Sequence, residues 1–161
     1  MLAVPRPVAF LPRLLFVPRR PAVYAATAVI LSLAGAIALS AAANALFPAA
    51  EGPQFPVSGW LFLFAVAVFA PVVETAILAV VLETLRRLVS PWTAVLLCAA
   101  GWGLAHSSAA PTWGLVIWWP FTLFSLAYLT WRQRSVWAAY GMALAIHAAQ
   151  NFIAAVPNAF A

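Results

Sequence analysis

The chain has 161 residues, 66% of them hydrophobic and 7% charged, with a mean hydropathy of +1.03. Soluble domains carry roughly 25% charged residues, so a water-soluble globular fold is excluded and the composition reads as that of an integral membrane protein. The net charge of +5 comes from eight Arg and no Lys; because every Arg flanks an apolar run, it is a topology signal rather than a nucleic-acid footprint.

In chain order, residues 1–21 carry Pro5, Pro7, Pro12, Pro18 and Pro21, which forbid a continuous helix. Phe10, Leu14, Leu15 and Phe16 alternate there with Arg6, Arg13, Arg19 and Arg20, the pattern of an interfacial arm on anionic headgroups. Residues 22–47 form an apolar run longer than the roughly 7–15 residues of a signal-peptide core, and so predict a retained first span. Pro48, Gly52, Pro53 and Pro56 mark a loop containing Glu51. A second span covers 59–85 and ends at Arg86-Arg87. Ser90-Pro91 opens a third, 91–108, with Pro91 suited to a first helical turn; Ser107 and Ser108 read as capping residues in the turn that follows. A fourth covers 113–131, Arg132-Gln133-Arg134 form a turn, and a fifth covers 135–156, closed by Pro157-Asn158. The fold class is therefore all-α: a polytopic membrane helix bundle of about five spans over residues 22–161, in one domain.

Five spans with the basic arm inside place Arg86/Arg87 and Arg132/Arg134 inside as well, and the 48–57 and 107–112 loops outside. Three separate clusters thus agree on an N-in, C-out orientation. The Arg-without-Lys, Ala- and Pro-rich composition points to a GC-rich bacterial genome, hence an inner membrane. Trp60, Trp92, Trp113, Trp131 and Trp137 lie near span ends, as interfacial aromatics do. The single Cys98 has no partner for an internal disulfide and reads as a small core residue.

Within the spans the ionisable residues are Glu74, Glu83, His106 and His147. Each costs several kcal/mol if left facing hydrocarbon, which makes it a functional candidate by default. Glu83 is set aside, since Arg87 four residues on supplies a salt bridge at the span's end. Glu74 lies about 18 Å along its helix from Arg86, His147 about 20 Å past Arg134 and His106 about 24 Å past Ser90. These depths are similar, and they predict a shared polar cavity in the outer half of the bundle. Asn151 shares the His147 face at i+4, and Trp102 shares the His106 face at i−4. Such a set supports water activation: Glu74 as general base, one His assisting, and His147 with Asn151 stabilising an oxyanion, which is peptide-bond hydrolysis. A two-His, one-Glu zinc site is the alternative, disfavoured because no close-spaced ligand pair preorganises it; no cofactor is expected.

At these residues the chain resembles the CAAX-protease and bacteriocin-processing family of intramembrane endopeptidases, regarded as glutamic proteases. The family's signatures are Glu-Glu-x-x-x-Arg, then Phe-x-x-x-His, then His-x-x-x-Asn. Ala70-Pro71-Val72-Val73-Glu74 is similar to the approach to the first, Trp102-Gly103-Leu104-Ala105-His106 to the second with Trp for Phe, and His147-Ala148-Ala149-Gln150-Asn151 to the third. The resemblance covers about 57–157. It implies that Glu74 activates water with His106, and that the substrate is a membrane-embedded or lipid-anchored protein met within the bilayer.

The first motif departs from the pattern, with Thr75 in place of the second Glu and Ala79 in place of the Arg. That leaves a divergent subfamily, resembling the myxosortase-type proteases that process C-terminal anchors of surface proteins, or an inactive relative kept as a scaffold. Retention of four polar residues at mid-depth favours activity. A small transporter or proton relay is the remaining alternative, disfavoured because polar groups do not continue toward both faces.

Overall fold

The computed structural model describes residues 5–160, so the first four residues of the expected arm lie outside the described residues. Five long helices follow the arm: α1 Pro21–Leu46, α2 Gly59–Leu85, α3 Pro91–Ser107, α4 Trp113–Trp131 and α5 Val136–Ala159. There is no strand among the described residues. Four of the five are long and apolar enough to cross a membrane, by length and composition. The fifth, α3, has 17 residues, at the short end of the roughly 17–25 that span a bilayer.

The bundle is built around α4, in which every residue from Phe121 to Trp131 is buried. Apolar side chains on the surrounding helices face outward: Ile30 and Ile37 on α1, Phe64, Phe69 and Val80 on α2, and Leu104 on α3 are all exposed. An apolar exterior around an apolar core has lipid as its solvent. Small residues set the closest crossings. A Cβ on Gly114 would fall on the Gly103 carbonyl and the Ser107 hydroxyl, so α3 and α4 touch backbone to backbone there, as small residues permit between membrane helices.

Chain punctuation works as expected at the starts of α3 and α5, where the Ser90 and Ser135 hydroxyls accept from the N–H groups of Thr93 and Ala138. Ser108 donates to the Ala105 carbonyl at 2.6 Å, consistent with the capping role read for it. The close of α5 differs: Pro157-Asn158 was expected to end it, yet the helix continues to Ala159. Pro157 has no N–H for the Ile153 carbonyl, so the last turn forms with one hydrogen bond fewer.

The helices alternate in direction, which gathers the Arg-bearing turns at one end, here called the arginine end. The arm is folded onto that end. Leu11, Leu15 and Phe16 are buried in the bundle core, and the Leu15 carbonyl accepts from both Tyr24 (3.0 Å) and Thr130 (2.9 Å). Trp92 donates to the Arg6 carbonyl and Arg134 to that of Pro18. Glu83 closes the same end, though with partners other than the expected Arg87. It pairs with Arg86 and, at 2.6 Å, with Arg132, and it accepts from Tyr128 at 3.2 Å. Arg86 leads back along the same helix face, and Arg132, 49 residues away in sequence, is brought to Glu83 by the packing of α4 beside α2.

Candidate active site

The α2 helix is interrupted where it passes the site. Residues Ala65–Phe69 form a π turn, in which N–H groups bond five residues back, as Ala70 does to the Ala65 carbonyl. The next residue is Pro71, which has no N–H, so the Val66 carbonyl loses the donor that this register would supply. Asn151 of α5 provides one, its Nδ2 donating to Val66 O at 3.0 Å. Tyr140 of α5 likewise donates to the Val72 carbonyl at 3.0 Å. The defect that Pro71 forces into α2 is thus held by α5, and Glu74 lies one turn beyond it; π turns are frequent at functional sites.

Glu74, His106, His147 and Asn151 line one cavity of about 510 Å³. The Glu74 Oε2 and His147 Nε2 atoms are 3.5 Å apart. His147 is buried, stacked on Phe124 at 4.5 Å, and its Nδ1 lies 3.3 Å from the Thr75 hydroxyl. His106 is half-buried, with Nδ1 2.8 Å from the Trp102 carbonyl. A carbonyl only accepts, so Nδ1 carries the hydrogen and Nε2 is left as the ring's acceptor in the neutral form. The Phe121 ring touches both histidines, at 5.6 Å from His106 and 5.2 Å from His147, and stacks on Trp102. The four residues therefore meet in one place, with the carboxylate in direct reach of His147.

Three features of this cavity were not anticipated from sequence. Thr75, at the position where the resembling family has its second Glu, is fully buried and serves His147. Gln150 and the α1 residues Ser40 and Asn44 also line the wall, and buried Ser32 of α1 donates to the Gln150 side chain. The signal was present as Ser32, Ala36, Ser40 and Asn44 at intervals of four, a single helix face. Trp113 was read as an interfacial aromatic, yet it meets His106 edge-on at 4.6 Å and lines the cavity; Trp60 and Trp137, by contrast, are exposed on the outside of the bundle.

Helix lengths shape the cavity. At 27 and 24 residues, α2 and α5 exceed α3 and α4, at 17 and 19, by up to about 15 Å of helix. His106, near the end of short α3, is thereby brought to the level of residues in the middle of longer helices. The cavity extends toward the end opposite the arginines, where Asn44, Thr112 and Asn158 line it and Phe55 of the 47–58 loop packs on Phe62 and Trp113. Toward the arginine end it is closed by fully buried Leu78, Leu82 and Leu126. Among the described residues no three His, Cys, Asp or Glu side chains are grouped to hold a metal ion.

No curated protein and no solved structure matches the chain. A family model does, that of type II CAAX prenyl endopeptidase Rce1-like proteins, over residues 54–153. The matched segment contains Glu74, His106, His147 and Asn151 together with the helices α2, α3 and α4 that frame them. It covers well over half of the sequence, and the chain belongs to the Rce1-like family of CAAX-type intramembrane endopeptidases.

Proposed function

We propose that the protein hydrolyses an internal peptide bond of a membrane-embedded or lipid-anchored protein, using water activated by Glu74. The observation that carries this reading is the 3.5 Å approach of Glu74 to His147 inside a cavity that His106 also lines. Water held between the Glu74 carboxylate and the free Nε2 of His106 loses a proton to Glu74 as its oxygen attacks the scissile carbonyl carbon. His147, its Nδ1 accepting from Thr75, presents Nε2–H to the oxyanion that forms. Glu74 then returns the proton to the amide nitrogen, the C–N bond breaks, and the products leave as a carboxylate and an amine. Asn151 has one amide N–H engaged with Val66 and contributes to the oxyanion only through its second.

A transmembrane proton path has less support, because the apolar layer at Leu78 and Leu82 separates the cavity from Glu83 at the arginine end. The test is cleavage of a membrane-protein reporter by reconstituted protein carrying Glu74→Gln, which keeps shape and loses the base. Turnover should fall by about 10²–10⁴-fold while the helical fold persists, and a chelator should leave the unaltered protein active. Normal turnover in Glu74→Gln overturns the peptidase reading; chelator-sensitive turnover restored by zinc replaces Glu74 as base with a metal.

A further inference from the structure

One more polar residue stands on the face of α5 that carries His147. Gln150 lies one turn beyond that histidine and directly before Asn151, at a position the His-x-x-x-Asn pattern leaves open, and residues three apart share a helix face. It is 5% exposed and lines the cavity with Glu74, His106 and His147.

The two ends of its amide are engaged differently. Ser32 of α1, itself fully buried, donates to Gln150 Oε1. That bond fixes how the planar amide is turned, with the oxygen toward α1 and the nitrogen away from it. The nitrogen makes no hydrogen bond among the described residues, and it is not one of their sealed, unpartnered polar atoms, which are Ser125 Oγ and Trp131 Nε1. Its two N–H groups are therefore open to the cavity. A buried amide paired on its oxygen alone is costly to keep among apolar helices, and an acceptor entering the cavity offsets that cost.

Asn151 is placed otherwise. One of its N–H groups is spent on the Val66 carbonyl of α2, so Asn151 holds the helix defect while Gln150 keeps both donors. A carbonyl attacked by water becomes an oxyanion, and the donors that serve it best are fixed in place before it forms. His147 against Thr75 of α2 and Gln150 against Ser32 of α1 are both fixed from outside α5.

Resting on the peptidase reading, we propose that Gln150 is the second oxyanion donor of the site, its Nε2–H acting beside the Nε2–H of His147, with Ser32 as its positioning residue. Ser32 precedes the family-matched residues 54–153, so a helix outside the matched region sets the orientation of this donor.

Steady-state cleavage of the membrane-protein reporter by reconstituted variants tests this, with thermal unfolding of each variant measured beside it. Gln150→Met keeps length and removes both N–H groups. Its kcat should fall by about 10²–10³-fold, with KM changed by less than about threefold, because the lost contact is made only in the transition state. Ser32→Ala leaves the donor in place but free to turn. It should lower kcat by about two- to tenfold in the otherwise unaltered protein and not at all in Gln150→Met. A normal kcat in folded Gln150→Met, or a raised KM with kcat unchanged, overturns the oxyanion role. If Gln150→Met does not fold, Ser32→Ala decides, and an unchanged kcat there overturns the proposal. Equal effects of Ser32→Ala in both backgrounds overturn its positioning role. Glu74-dependent cleavage that Gln150→Met leaves intact sinks this proposal alone, whereas absence of Glu74-dependent cleavage in the unaltered protein removes the peptidase reading and the proposal with it.

Discussion

The Thr75 hydroxyl lies 3.3 Å from His147 Nδ1 on the side of the ring opposite Glu74, and Thr75 is fully buried. In the proposed mechanism the hydroxyl donates to Nδ1, and the ring hydrogen then sits on Nε2, toward the carboxylate. A short, neutral side chain thus stands against His147 at the position where the family signature carries a second carboxylate.

Thr75→Val keeps shape and removes the donor. A hydrogen bond of this kind contributes about 0.5–1.5 kcal/mol, so kcat should fall about two- to tenfold with KM little changed, and Thr75→Ser should restore it. Thr75→Glu, which rebuilds the family pattern, should instead lower thermal stability, since a carboxylate would enter a fully buried position; adding Ala79→Arg at i+4 should recover part of the loss. Steady-state kinetics and thermal unfolding in detergent measure both.

Asn151 is held by the carbonyl that Pro71 leaves without a donor. Asn151→Ala strips that carbonyl of its partner and should lower stability by about 1–3 kcal/mol as well as activity. An Asn151 that served only an oxyanion would lose activity with stability unchanged. Pro71→Ala returns an N–H to α2, so the double variant should be less destabilised than the sum of the two single changes, a coupling that a thermal-unfolding cycle reads directly.

At the arginine end, Glu83 ties α2 to α4 through Arg132 and Tyr128. Glu83→Gln should cost about 1–2 kcal/mol, because three charge-assisted or hydroxyl contacts weaken together. Arg87→Ala should be close to neutral, as Arg87 is exposed and makes no ion pair among the described residues. Equal losses in the two variants would contradict the pairing.

Gly114→Ala tests the α3–α4 crossing. Its Cβ would meet backbone, the Gly103 carbonyl, which cannot rotate away. Helix separation would have to grow, at a cost of about 1–3 kcal/mol typical of overpacking, and His106 would move with α3. Gly101→Ala, where a Cβ meets nothing within 4 Å, should leave the unfolding midpoint unchanged or slightly raised.

The all-helical plan of the bundle and the convergence of Glu74, His106 and His147 on one cavity were legible in the amino-acid order. In hydrocarbon a polar residue has no neutral place to sit, so each one carries information, and helix rise alone converts its position into depth. Long-range partners were not legible. Glu83 was assigned the nearest Arg along the chain, and packing gave it Arg86 and Arg132. The arm was read as lying on headgroups, and its Leu15 and Phe16 fill the bundle's end. Asn151 was read as an oxyanion donor, and the Pro71 defect on another helix claims one of its N–H groups. Periodicity states which face of a helix is polar; which helix stands opposite that face depends on how five apolar cylinders of unequal length pack, and that the close approach of small residues such as Gly103 and Gly114 decides in three dimensions.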